Sequence, residues 1–296
     1  FALRVLSTAA LMAMVSSNAT AAFADTYDLN TGSVTVETKD DGITYVTQEN
    51  TEINDHADTT GVTITSNGTQ TSNTITVETA KDQTTNVTLK NVDIDASGTD
   101  KAAISTEGDV TIELDGNNKL VSGTGHAGLE TSTDNSQLTI KDDNKNAGSL
   151  DATGGESGAG IGGGKNGSGN VTITGGSITA EGGYQAAGIG GGSGGNANVS
   201  INDGANVVKS TGGINGGAGI GSGTGSTGET TITIEGGKVT EAIGGSGGGA
   251  GIGGGWNQKN DDNTHTTVTI DGGKVDSTTG ANLGAGIGGG RDNNST

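Results

Sequence analysis

Gly158-Ala159-Gly160-Ile161-Gly162-Gly163-Gly164 is the stretch whose reading decides the fold. It recurs as Ala186-Ala187-Gly188-Ile189-Gly190-Gly191-Gly192 and as Gly217-Ala218-Gly219-Ile220-Gly221-Ser222-Gly223. Further copies occupy 249–255 and 284–290. The isoleucines stand at 161, 189, 220, 252 and 287, at intervals of 28, 31, 32 and 35 residues. Intervals of roughly 20–50 residues mark solenoids and related repeat architectures.

Between the copies lie short runs that alternate apolar and polar residues. Val171-Thr172-Ile173-Thr174 is followed by Gly175-Gly176, then Ser177-Ile178-Thr179-Ala180, Gly182-Gly183 and Ala187-Gly188-Ile189. Later units carry Val199-Ser200-Ile201 with Val207-Val208, Ile232-Thr233-Ile234 with Val239, and Val268-Thr269-Ile270 with Val275. Alternation of period two is the pattern of half-buried strands, and glycine pairs mark turns. Three strands per unit give a three-sided coil. Stacked coils give an all-β, parallel β-helix in one continuous stack. Ile161, Ile189, Ile220, Ile252 and Ile287 should then form one inward ladder, and Ile173, Ile201, Ile234 and Ile270 another.

Composition agrees with a repeat rather than a globular core. Hydrophobic residues are 29%, aromatics 2%, and glycine numbers 59. Such a composition suits a disordered chain, but regular repeats, no proline and clustered Val, Ile and Thr argue for order. The formal charge of −20 makes nucleic acid and anionic membranes poor partners. Without cysteine there is no disulfide and no thiolate metal site.

Residues 1–24 read as a secretory signal peptide: Arg4, an apolar run from Val5 to Val15, and the cleavage site Ala22-Phe23-Ala24. The apolar run is too short to span a bilayer, so no membrane insertion is expected after its removal. Residues 25–60 read as an N-terminal cap with first strands. Residues 61–153 read as coils with degenerate repeats, since Ala102-Ala103-Ile104 and Ala127-Gly128-Leu129 take the place of Ala159-Gly160-Ile161. Residues 154–296 carry the glycine-rich coils, and the chain is expected to continue beyond Thr296.

Few residues suit catalysis. After residue 24 the only arginine is Arg291, and His56, His126 and His265 are far apart. The carboxylates do not recur at coil spacing in a way that builds a facing acid group, so the expectation is no enzyme. The glycine runs lack the Lys-Ser/Thr pair of a phosphate loop, and no nine-residue calcium repeat follows Gly191-Gly192. Asp142-Asp143 and Asp261-Asp262 are oxygen-rich turns that could hold calcium, although turns need no metal. Trp256, after Gly253-Gly254-Gly255, and Tyr184, before Gln185, should fall on loops as platforms for a sugar face. Thr172, Thr174, Thr231, Thr233, Thr267 and Thr269 should point outward. Such rows suit ice, but the uneven coil lengths speak against the regular spacing that ice demands.

Residues 87–164 resemble a family of secreted carbohydrate-binding β-helix domains of Gram-positive bacteria, including pectin- and cellulose-binding clostridial members. The residues that carry the likeness are 87–94, Ala102-Ala103-Ile104, 110–118, Ala127-Gly128-Leu129, Leu138-Thr139-Ile140 and 158–164. The resemblance implies a right-handed parallel β-helix that binds polysaccharide without hydrolysis and carries bound calcium; none of that family's calcium ligands transfers residue by residue. The copies after 165 also resemble repeats of large surface proteins. The expectation is thus a secreted or cell-wall-associated β-helix whose partner is a polysaccharide or cell-surface glycan. A structural stalk or adhesin is the alternative, and a polysaccharide lyase or hydrolase the second alternative.

Overall fold

The computed structural model describes residues 25–132, 136–144, 147–257, 265–292 and 294–295. The expected signal peptide lies outside them. Every regular element among the described residues is a strand. The strands stack in parallel into three faces around a shared core, a three-sided parallel β-helix.

The first face runs from Asp25–Asp28 and Val62–Thr65 through Gly169–Ile173 and Ala197–Ile201 to His265–Ile270. Val110–Val121 turns a corner. Its residues 110–115 pair on the first face with Thr85–Lys90 and Leu138–Lys141, and 116–121 pair on the second with Asp93–Asp95 and Gly148–Thr153. The second face continues through Ser177–Glu181 and Asn206–Thr211. The third runs from Val34–Thr38 through Ile75–Thr79, Ile104–Glu107, Leu129–Thr131 and Ile161–Gly163 to the two-residue strands that follow. Thr44–Gln48 and His56–Asp58 add antiparallel strands at the N-terminal edge of this face, so no parallel edge is left open there.

Both expected ladders are present and longer than the glycine-rich repeats alone imply. On the third face Val34, Ile75, Ile104 and Leu129 precede the five isoleucines in strict register. On the first face Val87, Ile112 and Ile140 precede Ile173, Ile201, Ile234 and Ile270. Rungs are about 4.8 Å apart, so each side chain packs on its neighbours above and below. Burying an isoleucine contributes about 1.5–3 kcal/mol. Ile270 is 45% and Ile287 44% exposed, unlike the inner members of both ladders.

The unequal coil lengths leave strand register intact, because the extra residues sit in turns. One strand pair is irregular. Register shifts between Ile178 and Thr179 on the second face. The expected Val207-Val208 pair is therefore split, with Val207 buried in the core and Val208 bulged outward.

The glycine-rich motif is a tight bend. Within each coil the alanine amide donates to the carbonyl four residues on, Ala159 to Gly163 (3.0 Å) and Ala187 to Gly191 (2.9 Å). Segments leaving this bend meet segments entering it one coil below. Ser193 N–H donates to the Ser157 carbonyl (2.9 Å), Thr224 to Gln185 (2.7 Å), Trp256 to Gly216 (2.8 Å) and Arg291 to Gly248 (2.7 Å). Side chains have no room between such backbones. Gly190 has φ +128°, and a Cβ there would overlap the Gly221 carbonyl oxygen. One coil before the motif, Glu130 holds the register position of Gly162. Its carboxylate accepts the Ala127 amide (2.8 Å), doing with a side chain what backbone does later.

Two substitutions test this account by urea unfolding. Ile201→Ala should cost about 2–5 kcal/mol, whereas Ile270→Ala on the exposed rung should cost less than about 1 kcal/mol. Gly190→Ala should cost about 2 kcal/mol or more, from strain and overpacking combined.

Candidate binding site on the third-face turns

The turns that enter and leave the third face are where the repeats differ, and they carry the large side chains. Tyr184 and Gln185 occupy the entering turn of one coil, and Ile214, Asn215 and Gly216 that of the next. The Gln185 amide donates to the Ile214 carbonyl (2.9 Å), which sets the two turns in register. Gln185 and Asn215 both take positive φ, +67° and +72°, a conformation asparagine tolerates better than most residues.

Tyr184 is 42% exposed, and the Asn215 amide donates to its hydroxyl (3.1 Å). The Thr224 hydroxyl donates to the Asn215 carbonyl (2.7 Å), tying the entering turn to the leaving turn. Trp256 rests on Gly216: a Cβ on that glycine would lie 2.6 Å from the Trp256 Cβ. The indole N–H donates to the Asp292 carboxylate (3.4 Å). The Arg291 guanidinium lies 5.0 Å from the indole centroid, a cation–π stack, and Arg291 Nε is 3.3 Å from the same carboxylate.

The structure thus brings Tyr184 and Trp256, 72 residues apart in the chain, onto one seam bridged by Asn215 and Gly216. Arg291 completes it by stacking on the indole. Ile214, 66% exposed, adds an apolar surface beside the tyrosine. Ring faces, an amide and a guanidinium can stack on and hydrogen-bond a polar ligand with apolar faces.

The other candidates are arranged differently. Asp261 and Asp262 lie outside the described residues. Asp142 accepts the Gly148 amide (2.9 Å). Asp143 is engaged by the Lys141 ammonium (2.9 Å), which also lies 3.3 Å from the buried Glu113 carboxylate. Glu113 in turn accepts the amides of Asp143 and Asn144 (3.2 Å each). This group clamps a turn, and its cation is a lysine. The Lys141 hydrogen bond, then that of Glu113, holds the Asp143 carboxyl below the usual carboxylate range. Among the described residues no three His, Asp or Glu side chains converge to hold a metal. The histidines stay apart; His126 sits in a turn with Nδ1 3.1 Å from Glu130.

One carboxylate group did recur at coil spacing. Glu37, Glu78 and Glu107 stack in register on three successive rungs of the third face. The signal was legible in Val34-Thr35-Val36-Glu37-Thr38 and Ile75-Thr76-Val77-Glu78-Thr79, two nearly identical pentapeptides. They lie 41 residues apart because the antiparallel strands intervene, and that interval hides the repeat.

Comparison with known families agrees with this architecture. The family described as beta helix repeat matches residues 146–165, 171–193, 232–256 and 268–291, all within or bordering the glycine-rich coils. No curated protein and no solved structure matches the chain. The chain carries a β-helix repeat domain.

Lys141→Met removes the main cause of the depressed Asp143 pKa, so an NMR pH titration should show that pKa rising toward the ordinary carboxylate value. In the unsubstituted chain the pair's contribution is present above the unfolded carboxyl pKa and is lost as pH falls through the lowered one. The substitution should remove that acid-limb dependence.

Proposed function

We propose that this chain is a non-catalytic, secreted or surface-attached β-helix that binds polysaccharide through the turns of its third face. The observation that carries the reading is the seam of Tyr184, Asn215, Trp256 and Arg291. A sugar ring has apolar faces edged by hydroxyls, and an exposed aromatic beside an amide and a guanidinium offers a partner to each part. The seam runs along the solenoid axis, so successive sugars of a chain can meet successive coils. Calcium enters this proposal only through Asp261 and Asp262, which directly precede the first-face strand His265–Ile270.

A second reading, a stalk that holds another module away from a surface, is favoured by the unbroken ladders. Nine rungs of the third-face ladder at about 4.8 Å each give a rigid rod of roughly 40 Å.

Binding of the chain to a panel of neutral and acidic polysaccharides, with and without a calcium chelator, separates the two. Trp256→Ala and Tyr184→Ala should each weaken binding about tenfold or more, the scale of a truncated hot-spot aromatic. Lys141→Met should leave it unchanged. A folded chain that binds nothing on the panel would remove the carbohydrate reading and leave the stalk.

A further inference from the structure

We infer that the outer surface of the first face binds ice. The uneven coil lengths gave reason to expect otherwise, and the register removes that reason. Thr172, Ser200, Thr233 and Thr269 pair directly on successive rungs, although the coils between them differ in length. Thr111 and Thr139 continue the same column below. The column holds six hydroxyls on six consecutive rungs. Beside it, two positions along each strand, runs a second column. There Thr231 lies on Thr267, and the Asn198 amide donates to Asn170 (3.0 Å).

The surface is a two-dimensional lattice. Its repeats are about 4.8 Å along the stack and about 6.7 Å along each strand, fixed by backbone geometry. Thr231-Ile232-Thr233 stacked on Thr267-Val268-Thr269 forms its most regular part. Threonine is stiff at χ1 and presents a methyl beside a hydroxyl that both donates and accepts. The inward residues Ile173, Ile201, Ile232 and Ile234 beside these threonines are fully buried, whereas Val268 is partly buried and Ile270 is exposed, so the rows stand on a packed base up to the strand of Thr231 and Thr233. From the strand of Asn170 and Thr172 onward neither column carries a charge, while Glu235 and Asp271 flank Thr233 and Thr269 on the other side.

Such an array recognises a neutral lattice of donors and acceptors. Water in ice is one, and holding it on a rigid array limits the ordering entropy of each bound water. A glycan is less well served here, because the strands of this face from Thr85–Lys90 to His265–Ile270 carry no Phe, Tyr or Trp ring for a sugar to stack on.

The test is thermal hysteresis and ice-recrystallisation inhibition by the full chain. Thr233→Lys places a charge in the centre of the lattice, and Thr179→Lys makes the same change on the second face. The expected result is a hysteresis gap that Thr233→Lys abolishes and that Thr179→Lys and Trp256→Ala leave in place. A folded chain with no effect on ice overturns the inference, as does equal loss in both lysine variants. Retention on crystalline cellulose that Thr233→Lys abolishes, with ice unaffected, assigns the face to a glycan instead and also overturns it.

Discussion

Backbone lies against backbone along the third face, and the rest of the glycine-rich stack depends on it. The bends of successive coils meet through amide–carbonyl bonds, and carbonyl oxygens fill the space where side chains would stand. Glycine is costly to order, so the motif survives only where a side chain cannot fit. The isoleucine at the centre of each bend supplies the apolar contact that offsets part of this cost. A single coil makes these contacts on neither side, whereas an inner coil makes them on both. That is why the stack is stable and one repeat is not.

Charge is distributed by the same register. An acidic chain that stacks residues about 4.8 Å apart would repel itself if like charges fell on one another. Elsewhere the rungs alternate: Glu113 lies over Lys141, and Asp93, Lys119 and Asp151 follow in order. Lys238 and Lys274 stack as like charges, but Asp276 lies between them at 3.1 and 2.7 Å. The column of Glu37, Glu78 and Glu107 departs from this, with Lys39 3.8 Å from its first member only.

Strands and turns divide the work. On the first and third faces the strands hold register whatever the coil length, and on the first face the outer surface becomes a lattice rich in hydroxyls. Apart from the bulge at Val208, the turns absorb the insertions, so variation and large side chains gather there. Tyr184 and Trp256 share one seam, through Asn215 and Gly216, because one lies on an entering turn and the other on a leaving turn, and the bend between such turns is only a few residues wide.

The sequence alone determined the three-sided coil, both isoleucine ladders and the continuity of the degenerate coils with the regular ones, because period-two alternation and glycine spacing are local properties. Placing Tyr184 and Trp256 on turns was legible for the same reason. Their place on one seam was not: it depends on which carbonyl each leaving turn reaches, a contact between coils that no spacing specifies. The glutamate column was hidden by the antiparallel strands inside its first interval. The role of Asp143 was decided by Lys141, two residues before it, and by Glu113, which the parallel register brings from the neighbouring rung. Local patterning fixed what each coil is, and the tertiary stack decided which side chains became neighbours, because adjacency along the solenoid is set by register and not by distance in the chain.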